Sequence, residues 1–86
     1  MKGNKLLTQI RQADPLCKAP LVELLGDYRA VIENHLGVLA YASEEISIKT
    51  KCGNILVQGD NMCLCELSRD QLVIAGNIYS VRLIRR

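Results

Sequence analysis

Phenylalanine and tryptophan are missing altogether, and the aromatic side chains are three tyrosines, Tyr28, Tyr41 and Tyr79. Sequence-tolerant binding of single-stranded nucleic acid needs successive aromatic faces in a basic groove, so this shortage argues against nucleic acid as a partner. Histidine is equally scarce. With His35 the only imidazole, a nucleophile–base pair or a closed metal site has little material to draw on, and the expectation is a protein without enzymatic activity or cofactor. No apolar run approaches the roughly 20 residues that span a bilayer. The opening Met1-Lys2-Gly3-Asn4-Lys5 is not followed by the uninterrupted apolar segment of a secretory signal. A soluble, cytoplasmic chain is expected, with free thiols as the default for Cys17, Cys52, Cys63 and Cys65.

What is present is apolar: 49% of the 86 residues are hydrophobic and 23% charged. That balance describes one small globular domain rather than a disordered chain. Folding at this size hides only about 60 to 65% of the unfolded surface, so self-association is a live option. The net charge of +2 is unevenly spread. Lys2, Lys5, Arg11 and Lys18 against Asp14 leave the first 18 residues at +3, and Arg82, Arg85 and Arg86 make the last five another +3. Residues 19–81 therefore sum to −4, with Arg29, Lys49, Lys51 and Arg69 facing eight carboxylates. Basic ends on an acidic body chiefly serve solubility.

The hydrophobic period divides the chain near Pro20. Before it, residues 1–18 read as an N-terminal helix and linker: Asn4 caps a short amphipathic helix carrying Leu6, Leu7 and Ile10 on one stripe, and Asp14-Pro15 ends it. So short a helix is marginal alone, and Leu6, Leu7 and Ile10 are candidate contacts for the domain, a partner or a membrane surface. From residue 19 to 86 the period becomes two. Turn signals follow every eight or so residues, at Gly26-Asp27, Asn34-His35, Ser43-Glu44-Glu45, Cys52-Gly53-Asn54, Gly59-Asp60-Asn61, Ser68-Arg69-Asp70 and Gly76-Asn77. The spacing predicts a mainly β domain, a small antiparallel meander or sandwich of seven to eight short strands, near 21–25, 28–33, 37–42, 46–51, 54–58, 62–67, 71–75 and 78–84. Gly26, Gly53, Gly59 and Gly76 are its turn glycines. Ile46-Ser47-Ile48-Lys49 alternates as a strand with one wet face, whereas Ile55-Leu56-Val57, Leu72-Val73-Ile74-Ala75 and Gly37–Ala42 are apolar on both faces. Such strands are central, covered by the helix, or covered by another subunit.

One internal similarity stands out. Ile55-Leu56-Val57-Gln58-Gly59-Asp60 and Leu72-Val73-Ile74-Ala75-Gly76-Asn77 share an apolar triplet, a spacer and a glycine followed by Asp or Asn, at an offset of 17 residues. Each copy reads as a strand followed by a tight turn or bulge, and neither glycine belongs to a phosphate-binding motif. Cys63 and Cys65 alternate with Leu64 and point to the same face of a strand, a geometry that serves paired ligands as well as two small core residues. A small metal- or ligand-binding domain using Cys63 and Cys65 with Cys52 or His35 is the alternative function. The structural reading is favoured, because the C-x-C has no matching second pair.

Glu33-Asn34-His35-Leu36-Gly37-Val38-Leu39 lies between two strand-like runs, where Asn34 and His35 suit a hairpin turn that they hydrogen-bond. Together with Ala19–Gly26, Ile46–Thr50, Gly53 and the two glycine-terminated strands, this segment resembles the YabP/YqfC family of sporulation proteins over about residues 15–84. Its most specific element is E-N-H-x-G-[VI]-L, here Glu33, Asn34, His35, Gly37, Val38 and Leu39. The resemblance implies a role in endospore formation in the mother-cell cytoplasm, without a known enzymatic activity. It further implies adaptor-like partnership with sporulation proteins, a YqfD-like membrane protein among them. Homo-oligomers formed at a strand edge, and peripheral contact of the helix with the forespore membrane, are the physical means expected.

Overall fold

A computed structural model describes residues 19–85, and the helix expected around Leu6, Leu7 and Ile10 lies outside them. Those residues form an antiparallel sheet of six strands: β1 (Leu21–Leu25), β2 (Arg29–Glu33), β3 (Gly37–Tyr41), β4 (Glu45–Thr50), β5 (Gly53–Leu67) and β6 (Gln71–Ile84). The sheet order is β1-β2-β6-β5-β4-β3. The mainly β, antiparallel expectation is met, but eight short strands become six because two pairs fuse. Segments 54–58 and 62–67 are one strand, β5, and 71–75 and 78–84 are another, β6. Gly59-Asp60-Asn61 and Gly76-Asn77 are therefore bends within strands, not turns between them.

The register explains how one sheet encloses a core. Asn54–Gln58 of β5 pair with β4 on one side and with Ser80–Ile84 of β6 on the other. Beyond the bend, Cys63–Leu67 pair with Leu72–Ala75 of β6, whose other side carries β2. The long β5–β6 hairpin thus belongs to two leaves, one completed by β3 and β4, the other by β1 and β2. Folding the leaves together brings Ile46, Ile48, Ile55 and Val57 of the first against Ala30, Ile32, Leu72 and Ile74 of the second, with Met62 and Ile78 at the bend. Each fully buried Ile or Leu among them contributes about 1.5–3 kcal/mol. The inward positions occur at every second residue within each paired run, the signature of a pleated strand with one buried face.

The two copies of the repeat lie opposite each other at this bend, with Gly59 paired to Ile78 and Asp60 to Asn77. Register shifts on either side let both strands turn together, and Tyr79 is left without a partner across the ladder. Each corner is closed by the tip of a hairpin. The amides of Gly76 and Ile78 donate to the carbonyls of Tyr28 and Asp27 in the β1–β2 turn, and those of Gly59 and Met62 donate to Glu44 and Ser43 in the β3–β4 turn. The repeat therefore reflects an approximate two-fold relation between the leaves.

Glycine is required at the bend for space as well as conformation. A Cβ on Gly59 would run into the carbonyl oxygen of Asn77, and one on Gly76, whose φ is +143°, would lie 2.6 Å from Met62 Cα. Gly37, also at positive φ (+131°), has nothing within 4 Å of such a Cβ. Gly59→Ala and Gly76→Ala should each cost about 3 kcal/mol or more, against about 1–2 kcal/mol for Gly37→Ala, which pays only for its backbone conformation. Thermal unfolding of the three variants checks the order; equal losses would contradict the close-packed bend.

Candidate functional site

The segment linking β2 to β3 is not a hairpin. Its two strands lie far apart in the sheet order, and Asn34-His35-Leu36 carries the chain from one leaf to the other. The expectation of a hairpin turn at Asn34-His35 is corrected accordingly: the partners are remote. Asn34 adopts a left-handed conformation, φ 63°, that Asn tolerates. Its amide donates to the Asp70 carbonyl at 2.6 Å, and its Nδ2 donates to the Ala19 carbonyl at 2.9 Å. Leu36 donates its amide to the Lys49 carbonyl at 2.7 Å in the opposite leaf. His35 is buried, with Nε2 2.9 Å from the carbonyl oxygen of Ser68 in the β5–β6 turn. A carbonyl only accepts, so Nε2 carries a proton and donates to Ser68. Its Nδ1 is buried without a hydrogen-bond partner. The half-buried Glu33, at the end of β2, pairs with Leu21 and Gln71, and Gly37 opens β3.

The structure separates the residues of the metal-binding alternative. Cys63 and Cys65 are exposed on β5, Cys52 is exposed in the β4–β5 turn, and His35 is committed to Ser68. Among the described residues, no group of three or more His, Cys, Asp or Glu side chains could hold a metal ion. The placement of Cys63 and Cys65 as small core residues is corrected as well, since both face solvent. Of the glycines, Gly26 (φ 52°) sits in the β1–β2 turn and Gly53 (φ 131°) begins β5, while Gly59 and Gly76 form the bend.

The feature most suited to recognition is an apolar cleft of about 350 Å³ where β1 meets the C-terminal half of β6. It is lined by Pro20, Val22, Leu24, Ile55, Val81, Arg82 and Leu83. Val22 and Leu24 pair with the core residues Ile32 and Ala30, and Leu83 pairs with Ile55, so all three point inward. They nevertheless remain open to solvent, Leu24 at 54% and Leu83 at 48%. The cleft is the seam at which the two leaves fail to close over the core. At the other seam closure is better, because Tyr41 Oη at the end of β3 accepts the Leu64 amide of β5 at 3.1 Å. The cleft residues were missed from sequence, although four apolar side chains among the five of β1 were a signal.

The family model of the YabP family matches residues 18–86. The chain belongs to the YabP family. This YabP-family chain is similar to a protein of Bacillus subtilis (strain 168) that bears the name "Uncharacterized protein YqfC", at 25% identity over 71 residues, covering 83% of this chain and 76% of that protein. No solved structure matches. The YabP/YqfC membership expected from Glu33–Leu39 and the glycine-terminated strands is thereby established, and it suggests a sporulation-related role.

Two predictions follow from the geometry of this YabP domain. Replacing His35 with Ala removes the link between the crossover and the β5–β6 turn and empties a buried site, an expected loss of about 1–3 kcal/mol. For a domain of this size that lowers Tm by roughly 4–8 °C per kcal/mol; an unchanged Tm would contradict the clamp. Tyr79, left unpaired by the register shift, donates its hydroxyl to the Asp60 carboxylate. That hydrogen bond to a carboxylate holds the phenol proton and raises its pKa above the ordinary value near 10. The stabilisation is complete below that ordinary value and disappears as pH rises through the folded one. In a Tyr28→Phe, Tyr41→Phe background, phenolate absorbance should report a high ionisation that Asp60→Asn brings back down.

Proposed function

We propose that this YabP-family domain is a non-enzymatic assembly module of endospore formation, working in the mother-cell cytoplasm by docking apolar segments of other sporulation proteins. The supporting observation is the open seam: Val22, Leu24 and Leu83 point into the core yet lie exposed along the β1–β6 cleft. Apolar groups already ordered for burial gain hydrophobic free energy on docking with little further loss of freedom. The two outer strands extend the same capacity. β3, Gly37–Tyr41, has neither charge nor proline to discourage an added strand, and its one irregularity is a register shift between Val38 and Ala40.

The partner in this reading is a YqfD-like, membrane-associated sporulation protein, which would hold the domain at the forespore membrane, with homo-oligomerisation as a second use of the edges. Leu6, Leu7 and Ile10 lie outside the described residues, and the proposal rests on the sheet. Because Leu24 and Leu83 are exposed, Leu24→Lys and Leu83→Lys should leave Tm nearly unchanged. Each should weaken partner binding about tenfold or more, equivalent to roughly 1.4 kcal/mol, in titrations of the purified full chain with a YqfD-like cytoplasmic segment. A chain that stays monomeric in sedimentation at high concentration and binds no such segment removes the proposal.

A further inference from the structure

We propose that Cys63 and Cys65 form a solvent-facing dithiol that reacts with low-molecular-weight disulfides and closes reversibly into an intrachain disulfide. In a regular strand, residues two apart sit about 6.5–7 Å from each other, too far for sulfurs to meet easily. Here the ladder passes from Leu64–Ile74 to Glu66–Val73, leaving Cys65 as the extra residue of a bulge. The bulge re-aims its side chain, and the two sulfurs lie 3.6 Å apart. Closing a disulfide requires them to approach by about 1.5 Å more. The segment is held in this shape by the Leu64 amide, which lies between the cysteines and donates to Tyr41 Oη.

The surroundings distinguish this pair from two incidental surface thiols. Cys63 is paired with Ala75, and Ala75 with Arg29, so a guanidinium stands in the same cross-strand row, separated by one small side chain. Its positive charge favours the thiolate of Cys63, against the larger effect of the neighbouring sulfur: the Cys63 pKa is raised by its hydrogen bond to Cys65. The two sulfurs are within reach of each other, so either can attack first and the other resolve. With a disulfide RSSR, the thiolate of one of the two cysteines forms a protein–S–S–R bond and expels RS⁻. The other thiol then loses its proton and attacks that protein sulfur, expelling the second RS⁻. Two thiols of the protein are oxidised, one RSSR is reduced to two RSH, and both protons leave with them.

A bond across so short a loop constrains the unfolded chain little, and an exposed, strained disulfide is readily reduced. The chemistry suits a labile modification rather than a structural staple. Its position beside the Tyr41 contact places it at the seam between β5 and β3, on the opposite side of the molecule's strand order from the β1 cleft.

The test uses the full chain in a buffer of oxidised and reduced glutathione, with proteolytic peptides mapped by mass. The expected product is a 63–65 peptide lacking two hydrogens, restored by dithiothreitol. Cys63→Ser and Cys65→Ser, conservative changes at exposed sites checked by circular dichroism, should instead accumulate the glutathione adduct on the remaining cysteine about tenfold more than the unmodified pair does. Equal adduct on the pair and on the single-serine chains would overturn the proposal. So would a pair still reduced at a poise where exposed Cys52 already carries glutathione. Neither result bears on partner docking, since the β1–β6 cleft contains no cysteine.

Discussion

Everything in this fold depends on the contact between two backbones at the bend of β5 and β6. Gly59 lies against the Asn77 carbonyl, and Gly76 against Met62 Cα, at separations that leave no room for a side chain. Because both strands bend at paired positions, the sheet doubles over and its two inner faces meet. Without that contact Ile46, Ile48, Ile55 and Val57 would face water rather than Ile32, Leu72 and Ile74. The hydrophobic effect drives closure, but it is non-directional, and the glycines decide where closure happens.

Once the sheet has doubled, the chain has to cross from one leaf to the other, and Glu33–Gly37 makes that crossing. Its backbone would be costly to leave unpaired: the Asp70 and Lys49 carbonyls accept the amides of Asn34 and Leu36, while the Ala19 and Ser68 carbonyls accept the side chains of Asn34 and His35. His35 suits the position because its ring fills a buried site while donating one hydrogen bond to Ser68. The Glu33–Leu39 segment thus secures topology. His35 acts there as a clamp, with its Nδ1 buried and without a hydrogen-bond partner.

The two seams of the doubled sheet differ in a way that matters for function. One is tied by Tyr41 and carries the Cys63–Cys65 pair at its margin. The other leaves Val22, Leu24 and Leu83 pointing inward and, among the described residues, without cover. A small domain cannot bury all of its apolar surface, and here part of the shortfall lines one edge. The docking proposed at that edge would complete the core, and the thiol chemistry proposed at the other would touch a bulge whose shape sets the sulfur separation.

Alternation along Ile46–Lys49, and the turn residues at Gly26-Asp27 and Ser68–Asp70, made the β class and most strand positions legible from sequence, because pleating and turn chemistry are local. The E-N-H-x-G-V-L segment likewise pointed to the family. Not legible were the fusion of four short strands into two, the crossover at Asn34-His35, the burial of His35 and the exposure of Cys63 and Cys65. A glycine followed by Asp or Asn serves equally a turn between strands and a bend within one, and only the facing strand decides between them. The pairing of Gly59 with Ile78 and of Leu64 with Ile74 is long-range, and it alone determined which side chains became core, which became clamp and which were left facing water.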